Sequence, residues 1–222
     1  MNNIGVFTFA RKQSQRCPNK MLRPFAGTTL TDIALAKLAK LGSDTFFAGY
    51  EKEFEDKAGH AGVKFIKRDE KSINIDGPIT EILAFLKKVE YEYLLIVSGC
   101  LPFLSVETID NFLQDCKSNA LKPSFSITIK RNYFLDSQHN PLNFDLATKT
   151  MNTKIVEPVY EAVQALYFFN KDYFFENGRY WDWKDVRFIE INDKIQTFDI
   201  DTEEDFKIAE EIYKIRKKEG LI

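Results

Sequence analysis

Residues 4–27 read IGVFTFARKQSQRCPNKMLRPFAG, and the fold turns on how the first seven of them join the rest. Ile4 to Ala10 form a short apolar run ended by charge, the pattern of a strand buried on both faces of a parallel sheet. Arg11, Lys12, Arg16, Lys20 and Arg23 follow at once. Cations crowded against the end of a buried strand are costly without an anionic partner, so this loop is expected to hold an anion. Behind it, TTLTDIALAKLAKLG sets Leu30, Ile33, Ala34, Leu38 and Leu41 at helical spacing after a threonine cap and stops at Gly42. Strand, basic loop and helix make one βα unit.

The alternation continues along the chain. DTFFAGY (44–50) predicts a strand, EKEFEDKAGHAG (51–62) a polar helix and VKFIKRD (63–69) a third strand. DGPITEILAFLKKVEYEY (76–93) predicts one long amphipathic helix with Pro78 in its first turn, and LLIVSG (94–99) is the most apolar strand, expected at the centre of the sheet. SVETIDNFLQDCKS (105–118) predicts a helix capped by Ser105, with Glu107 in its first turn. SFSITIKR (124–131) alternates like a strand. From Asn132 to Glu157 the chain is rich in Asn, Asp, Thr and Pro without a sustained period, which predicts an excursion from the core. The strand FIEIN (188–192), the acidic stretch FDIDTEEDF (198–206) and a Lys- and Glu-rich helix close the sequence. Together these predict a single domain over 1–222: a doubly wound, mostly parallel α/β sheet flanked by helices, with its ligand outside the carboxyl ends of the strands.

Composition removes several alternatives. The 222 residues carry a net charge of −2, with 44% hydrophobic and 29% charged residues, an ordinary soluble balance that argues against a general nucleic-acid binder. The apolar start is too short to span a membrane and lacks a basic leader, so a cytoplasmic protein without a membrane partner is expected. Cys17, Cys100 and Cys116 are widely spaced and odd in number, which predicts free thiols instead of a disulfide framework or a zinc site. His60 and His139 stand apart from any nucleophile and are expected at the surface. Tyr180, Trp181 and Trp183 suggest either a stacking platform or, with more support from general packing, a core or interface cluster.

The basic loop has neither the glycine pattern of a dinucleotide fingerprint nor that of a P-loop. Its guanidinium forks, ammonium and Ser14 hydroxyl are instead suited to clamping a polyphosphate, with a solvated basic turn as the plain alternative. Near the other end, Asp199 and Asp201 lie two residues apart, so in an extended segment their carboxylates point the same way and can share Mg²⁺ or its waters. The plain alternative there is an acidic helix start, capped by Thr202 or Asp201, with Glu203, Glu204 and Asp205 favouring the dipole.

The order Ala10, Arg11, Ser14, Arg16, Pro18, Lys20, Leu22 resembles the nucleotide-binding signature of the cytidylyltransferases that make CMP-linked sugar acids, the acylneuraminate and KDO enzymes, and is similar to that of the spore-coat polysaccharide group. FDIDTEEDFKIAEEI (198–212) resembles that family's closing Asp-x-Asp-Thr-x-Glu-Asp segment. The resemblance implies a cytidylyltransferase with CTP as donor, an acidic, sialic-acid-like or other ulosonic acceptor, and a homodimer formed through the excursion. It implies Arg11, Lys20 and Asp201 as catalytic residues. Ala10, Arg11, Ser14, Arg16, Lys20 and Ser98 would bind nucleotide, and Asp199 and Asp201 would hold Mg²⁺. Asp76 is a further candidate for substrate contact.

Two segments depart from the family. Residues 99–103, GCLPF, stand where the KDO enzymes carry a metal-binding Asp before Glu-Pro and the acylneuraminate enzymes a Gln-Pro-Thr-Ser-Pro run, and Gln164-Ala165 replaces the usual Asn-Gly. A phosphate-bearing acceptor yielding a CDP conjugate, or an inactive nucleotide-binding homologue, are therefore the alternatives.

Overall fold

The computed structural model describes residues 3–74 and 76–222. Seven strands form one sheet: β1 (Ile4–Phe9), β2 (Thr45–Gly49), β3 (Lys64–Lys67), β4 (Tyr93–Val97), β5 (Ser124–Lys130), β6 (Val159–Asn170) and β7 (Arg187–Glu190). Their order across the sheet is β3-β2-β1-β4-β6-β5-β7. β1 pairs in parallel with both β2 and β4, while β6 runs antiparallel to β4 and β5, so the sheet is mostly parallel. The expected central strand, β4, is fourth of seven.

Strand side chains alternate between two apolar layers. Val6, Phe47 and Leu95 face one core with α1 (Leu30–Leu41), α4 (Val106–Ser118) and α6 (Glu203–Lys218). Phe7, Phe46 and Ile96 face the other, packed by residues 83–89 and by Phe169, Phe174 and Trp181. The Phe7 and Phe46 rings stack at 4.9 Å across neighbouring strands. α1 begins and ends where the sequence places it: the Thr29 hydroxyl accepts from the Asp32 amide, and Gly42 leaves the helix at φ 110°, a region that glycine enters without penalty. α2 (Lys52–His60) and the Ser105-capped α4 also match expectation.

The long helix expected over residues 76–93 does not form. The chain makes one turn, α3 (Ile79–Ile82), and then a 3₁₀ segment over Ala84–Lys88. Leu83, Phe85, Leu86 and Val89 are all buried, a wider apolar arc than one straight helix face presents to a sheet. The Ile82 carbonyl accepts from Arg68 at 3.3 Å. Tertiary burial overrides the helical period.

β5 also departs from simple alternation, with Ser124 to Thr128 buried on both faces. A register shift against β6 between Phe125 and Ile127 is filled by the Ser126 hydroxyl, which donates to the Val163 carbonyl (2.8 Å) and accepts from the Leu166 amide (2.9 Å). The excursion from Asn132 to Glu157 is irregular apart from a bridge between Leu135 and Pro141. Asn143 gathers it by accepting from the Phe134 amide and donating to the Asn132 and Glu157 carbonyls. α5 (Lys171–Asn177) follows β6 and ends at Gly178 in the left-handed region.

Candidate active site

The loop after β1 is pinned by its apolar residues. Cys17, Met21 and Phe25 are buried, and the Met21 carbonyl accepts from both the amide and the hydroxyl of Thr31 in α1 (3.1 and 2.6 Å). The polar residues between these anchors are thereby turned toward a cavity of about 620 Å³ at the carboxyl ends of β1 and β4, within the usual range for a small-molecule site. Because β1 connects to β2 on one side while β4 lies on its other, this is the crevice at the point where the sheet reverses its winding. Ala10, Arg11, Ser14, Arg16, Lys20, Ser98 and Asp201 all line it.

The five cations of the loop divide. Arg11 and Lys20 are partly buried at the wall. Arg11 donates to the Ile73 carbonyl at 3.1 Å, and burial lowers its pKa, against the opposing charges of Asp76 and Glu51. Lys20 donates to the Ile200 carbonyl and lies 3.8 Å from Asp201. Arg16, more exposed, donates to Asp201 Oδ1 at 2.8 Å. Lys12 and Arg23 do not line the cavity, which corrects the expectation that all five surround one anion. Lys12 pairs with Glu53 on the surface. Arg23 makes a two-pronged bond to Glu203 (2.8 and 2.8 Å) and lies 3.7 Å over the Phe206 ring, fastening the loop to α6.

The carboxylates also separate by role. Thr202 caps α6 and exchanges capping-box bonds with Asp205, so capping does not occupy Asp201. Ile200 is wholly buried in the core, and of the two carboxylates beside it Asp201 lines the cavity whereas Asp199 lies behind the wall, outside the lining. Asp199 Oδ1 is buried without a hydrogen-bond partner. Its pKa rises to about 6, mainly from burial and then from the Asp201 charge, against the opposing pull of Lys20 and Arg16. An orphaned carboxylate oxygen beside a second carboxylate suits a hard cation that takes one or two carboxylates and completes its shell with phosphate and water. Among the described residues no group of three or more His, Cys, Asp or Glu forms a metal cluster.

The segment after β4 is stitched to this pair, since the Ile200 amide donates to the Cys100 carbonyl at 3.1 Å. Ser98 donates its amide to Ala165 at 3.0 Å, and its hydroxyl accepts from the Cys100 amide at 3.4 Å. Gly99 allows the close approach, because a Cβ there would lie 2.9 Å from Met21 Cε and 3.0 Å from Thr8 Cγ2.

Arg68 escapes the sequence reading. It is 2% exposed, lines the cavity, and donates to the Ala10 carbonyl at 2.9 Å and to Ser72 Oγ at 2.9 Å, with the Phe9 and Phe85 rings 5.2 and 5.6 Å from its guanidinium. Burial lowers its pKa to about 10. The available signal was its place directly after β3, a cation at the carboxyl end of a parallel strand. Gln15 of the loop and Gln164, Tyr167 and Tyr180 also line the cavity. Of the aromatic trio only Tyr180 reaches the cavity; Trp181 is core and Trp183 is 61% exposed outside it. Asp76 is exposed and not part of the wall, and His60 and His139 are at the surface as expected. The three cysteines are free.

A mostly parallel, doubly wound sheet with a basic loop at its winding reversal defines an α/β protein with an anion-binding crevice outside its strand ends. Residues 7–220 match the family model described as cytidylyltransferase, and the chain belongs to that family. Comparison with curated proteins found no match. Solved structures that share the fold include the following three. CMP:2-keto-3-deoxy-manno-octonic acid synthetase complexed with CTP is 14% identical, with TM-score 0.70, covering 96% of this chain and 98% of that one. The 4-diphosphocytidyl-2C-methyl-D-erythritol synthase of Anaerococcus prevotii DSM 20548 is 15% identical, with TM-score 0.64 and 96% of each chain covered. A cytidylyltransferase from Leptospira borgpetersenii serovar Hardjo-bovis (strain JB197) is 15% identical, with TM-score 0.61, covering 99% and 96%.

Proposed function

We propose that this chain, working as one unit over residues 1–222, transfers the cytidylyl group of CTP to a small acidic sugar of the ulosonic or sialic-acid class and releases pyrophosphate. The observation that carries the reading is the convergence of Arg11, Ser14, Arg16, Lys20 and Asp201 on one cavity. An acceptor oxygen attacks the α-phosphorus and forms the new P–O bond, while the bond to the α,β-bridging oxygen breaks and pyrophosphate leaves with that electron pair. Such chemistry needs positioning and charge neutralisation above all.

Arg11, Arg16 and Lys20 hold the triphosphate and stabilise charge on the departing pyrophosphate, and Ser14 contacts its oxygens. Ala10 and Ser98 line the nucleotide's bed. Asp199 and Asp201 are the residues that would hold Mg²⁺, which when bound supplies neutralisation of phosphate charge. Arg16 and Lys20 now face Asp201, so phosphate oxygens would compete for cations already gathered at the site.

The family supports a cytosine nucleotide, and the altered GCLPF segment and Gln164 support two competing readings: a phosphate-bearing acceptor giving a CDP conjugate, or a nucleotide-binding homologue without turnover. No helix among the described residues is long and apolar enough to cross a membrane, and a cytoplasmic role in surface-polysaccharide synthesis fits the acceptor. Leu135, Leu142, Leu146, Met151 and Ile155 are exposed on the excursion, and this apolar surface supports a homodimer formed there.

The test is pyrophosphate release from CTP, UTP, ATP and GTP with Mg²⁺ and a panel of ulosonic acids and sugar phosphates. Release with CTP and an ulosonic acid is expected. Release only with sugar phosphates establishes the first alternative, CTP-dependent thermal stabilisation without release the second, and a preference for ATP contradicts the account.

A further inference from the structure

A second cavity, of about 470 Å³, lies on the other side of the segment that follows β4, between α1 and α6. Pro102 to Val106 form its wall, continuing directly from Gly99 and Cys100 on the wall of the nucleotide cavity. Nothing in cytidylyl transfer uses it.

Its charge is unbalanced. Lys37 and Lys40 from α1 and Arg216 and Lys217 from α6 line it, and none of the four forms an ion pair among the described residues. Of the carboxylate side chains in the lining, Asp32 is paired with Lys57 of α2 (2.9 Å) and accepts from the Thr29 hydroxyl (2.7 Å), and Asp193 accepts from the Ile195 amide (3.2 Å); Ile222, the last residue, also lines the cavity, so four cations still outnumber the carboxylates. Lys37 spends its ammonium on one neutral acceptor, the Leu101 carbonyl at 2.8 Å, and burial lowers its pKa to about 7. Arg216 Nε is buried without a hydrogen-bond partner. A buried donor left unmade and a desolvated ammonium each cost stability that an anionic ligand would return. The remaining wall is mixed: Ile33, Leu104 and the neighbouring rings of Phe103 and Tyr213, whose centroids lie 6.1 Å apart, give it apolar surface, and Thr28, Ser105 and Gln196 add polar groups.

We propose that this cavity is a second ligand site, distinct from the nucleotide cleft, that takes a small phosphate-bearing molecule with an apolar body. The phosphate lies among Lys37, Lys40, Arg216 and Lys217, where a guanidinium fork and ammonium groups match its oxygens. The body packs against Phe103 and Tyr213. Pairs of opposite sign in so partly enclosed a site are screened less than at an open surface.

Phenyl phosphate, with one phosphate and one ring, is the probe. It is titrated calorimetrically into the wild type, Lys20→Met, Lys37→Met/Arg216→Met and Lys40→Ala/Lys217→Ala, with melting temperatures recorded for each. Lys20→Met is expected to keep the binding event that Lys37→Met/Arg216→Met loses, since Lys20 belongs to the other cleft and any phosphate bound there is a separate event. Lys37→Met/Arg216→Met is expected to bind at least about tenfold more weakly, and the surface variant Lys40→Ala/Lys217→Ala at least about threefold more weakly. Phenol is expected not to bind. Failure of the wild type to bind below about 10 mM, unchanged binding in a folded Lys37→Met/Arg216→Met, or loss of binding in Lys20→Met instead overturns the proposal. If the first double variant fails to fold, the surface variant decides alone, and unchanged binding there overturns it equally.

Discussion

Asp199→Asn is expected to stabilise the protein while weakening its chemistry, because Asp199 holds charge where the fold alone does not favour it. Its carboxyl is buried with Oδ1 unpartnered and lies beside Asp201. The folded pKa, about 6, lies above the unfolded value of 3.8. Between those values the native state binds the extra proton, so wild-type stability falls as pH rises from about 4 to about 6 and stays lowered above. Raising the carboxyl from 3.8 to about 6 corresponds to about 3 kcal/mol of unfavourable interaction in the ionised form. Partial exposure reduces this to about 1–2 kcal/mol. At about 2–4 °C per kcal/mol for a chain of this size, the variant should melt several degrees higher than wild type at neutral pH. Thermal and denaturant melts of chelator-treated protein measure it, at about pH 4 and about pH 7.5. The gain should appear at the higher pH and vanish at the lower. A variant that is no more stable at neutral pH, or whose advantage does not change with pH, refutes the reasoning and removes the electrostatic case for a cation at this carboxylate.

Three further outcomes are expected. Lys20→Met and Arg11→Met should fold normally and each lose about 2 kcal/mol or more of CTP binding, roughly 30-fold in Kd by calorimetry, and normal binding by both would reduce the loop to a solvated turn. Arg23→Ala should behave in the opposite way: losing the two-pronged Glu203 contact and the Phe206 face should cost about 2 kcal/mol in denaturant melts while leaving CTP affinity near wild type. Light scattering at micromolar concentration should give a dimer mass that falls to monomer in Leu142→Asp/Leu146→Asp, and a monomeric wild type would contradict the association surface.

What was legible in the sequence was local and periodic. β1, α1 and its Thr29 and Gly42 ends, the apolar β4 and the Ser105 cap follow from patterns that neighbouring residues create together. The two ends of the site were also readable, because an Arg- and Lys-rich turn after a buried strand and an Asp-x-Asp before a helix each announce charge needing a partner. Long-range contacts were not readable. The helix expected after Pro78 broke because Leu83, Phe85, Leu86 and Val89 are drawn into one core while Arg68 takes the Ile82 carbonyl, a bond across 14 residues that no local period encodes. For the same reason Lys12 and Arg23 looked equivalent to Arg11, Arg16 and Lys20, although Glu53 and Glu203 claim them from distant elements.

Pyrophosphate release from CTP across a range of Mg²⁺ concentrations, comparing wild type with Asp201→Asn, tests the central claim most directly. Thr202 caps α6, so Asp201→Asn should leave the fold intact, and an amide in place of a carboxylate is a poor partner for a hard divalent ion. The account predicts that wild type releases pyrophosphate with CTP and an ulosonic acid, and that Asp201→Asn is far slower and needs much more Mg²⁺. Equal rates with an unchanged Mg²⁺ dependence in the folded variant would contradict it.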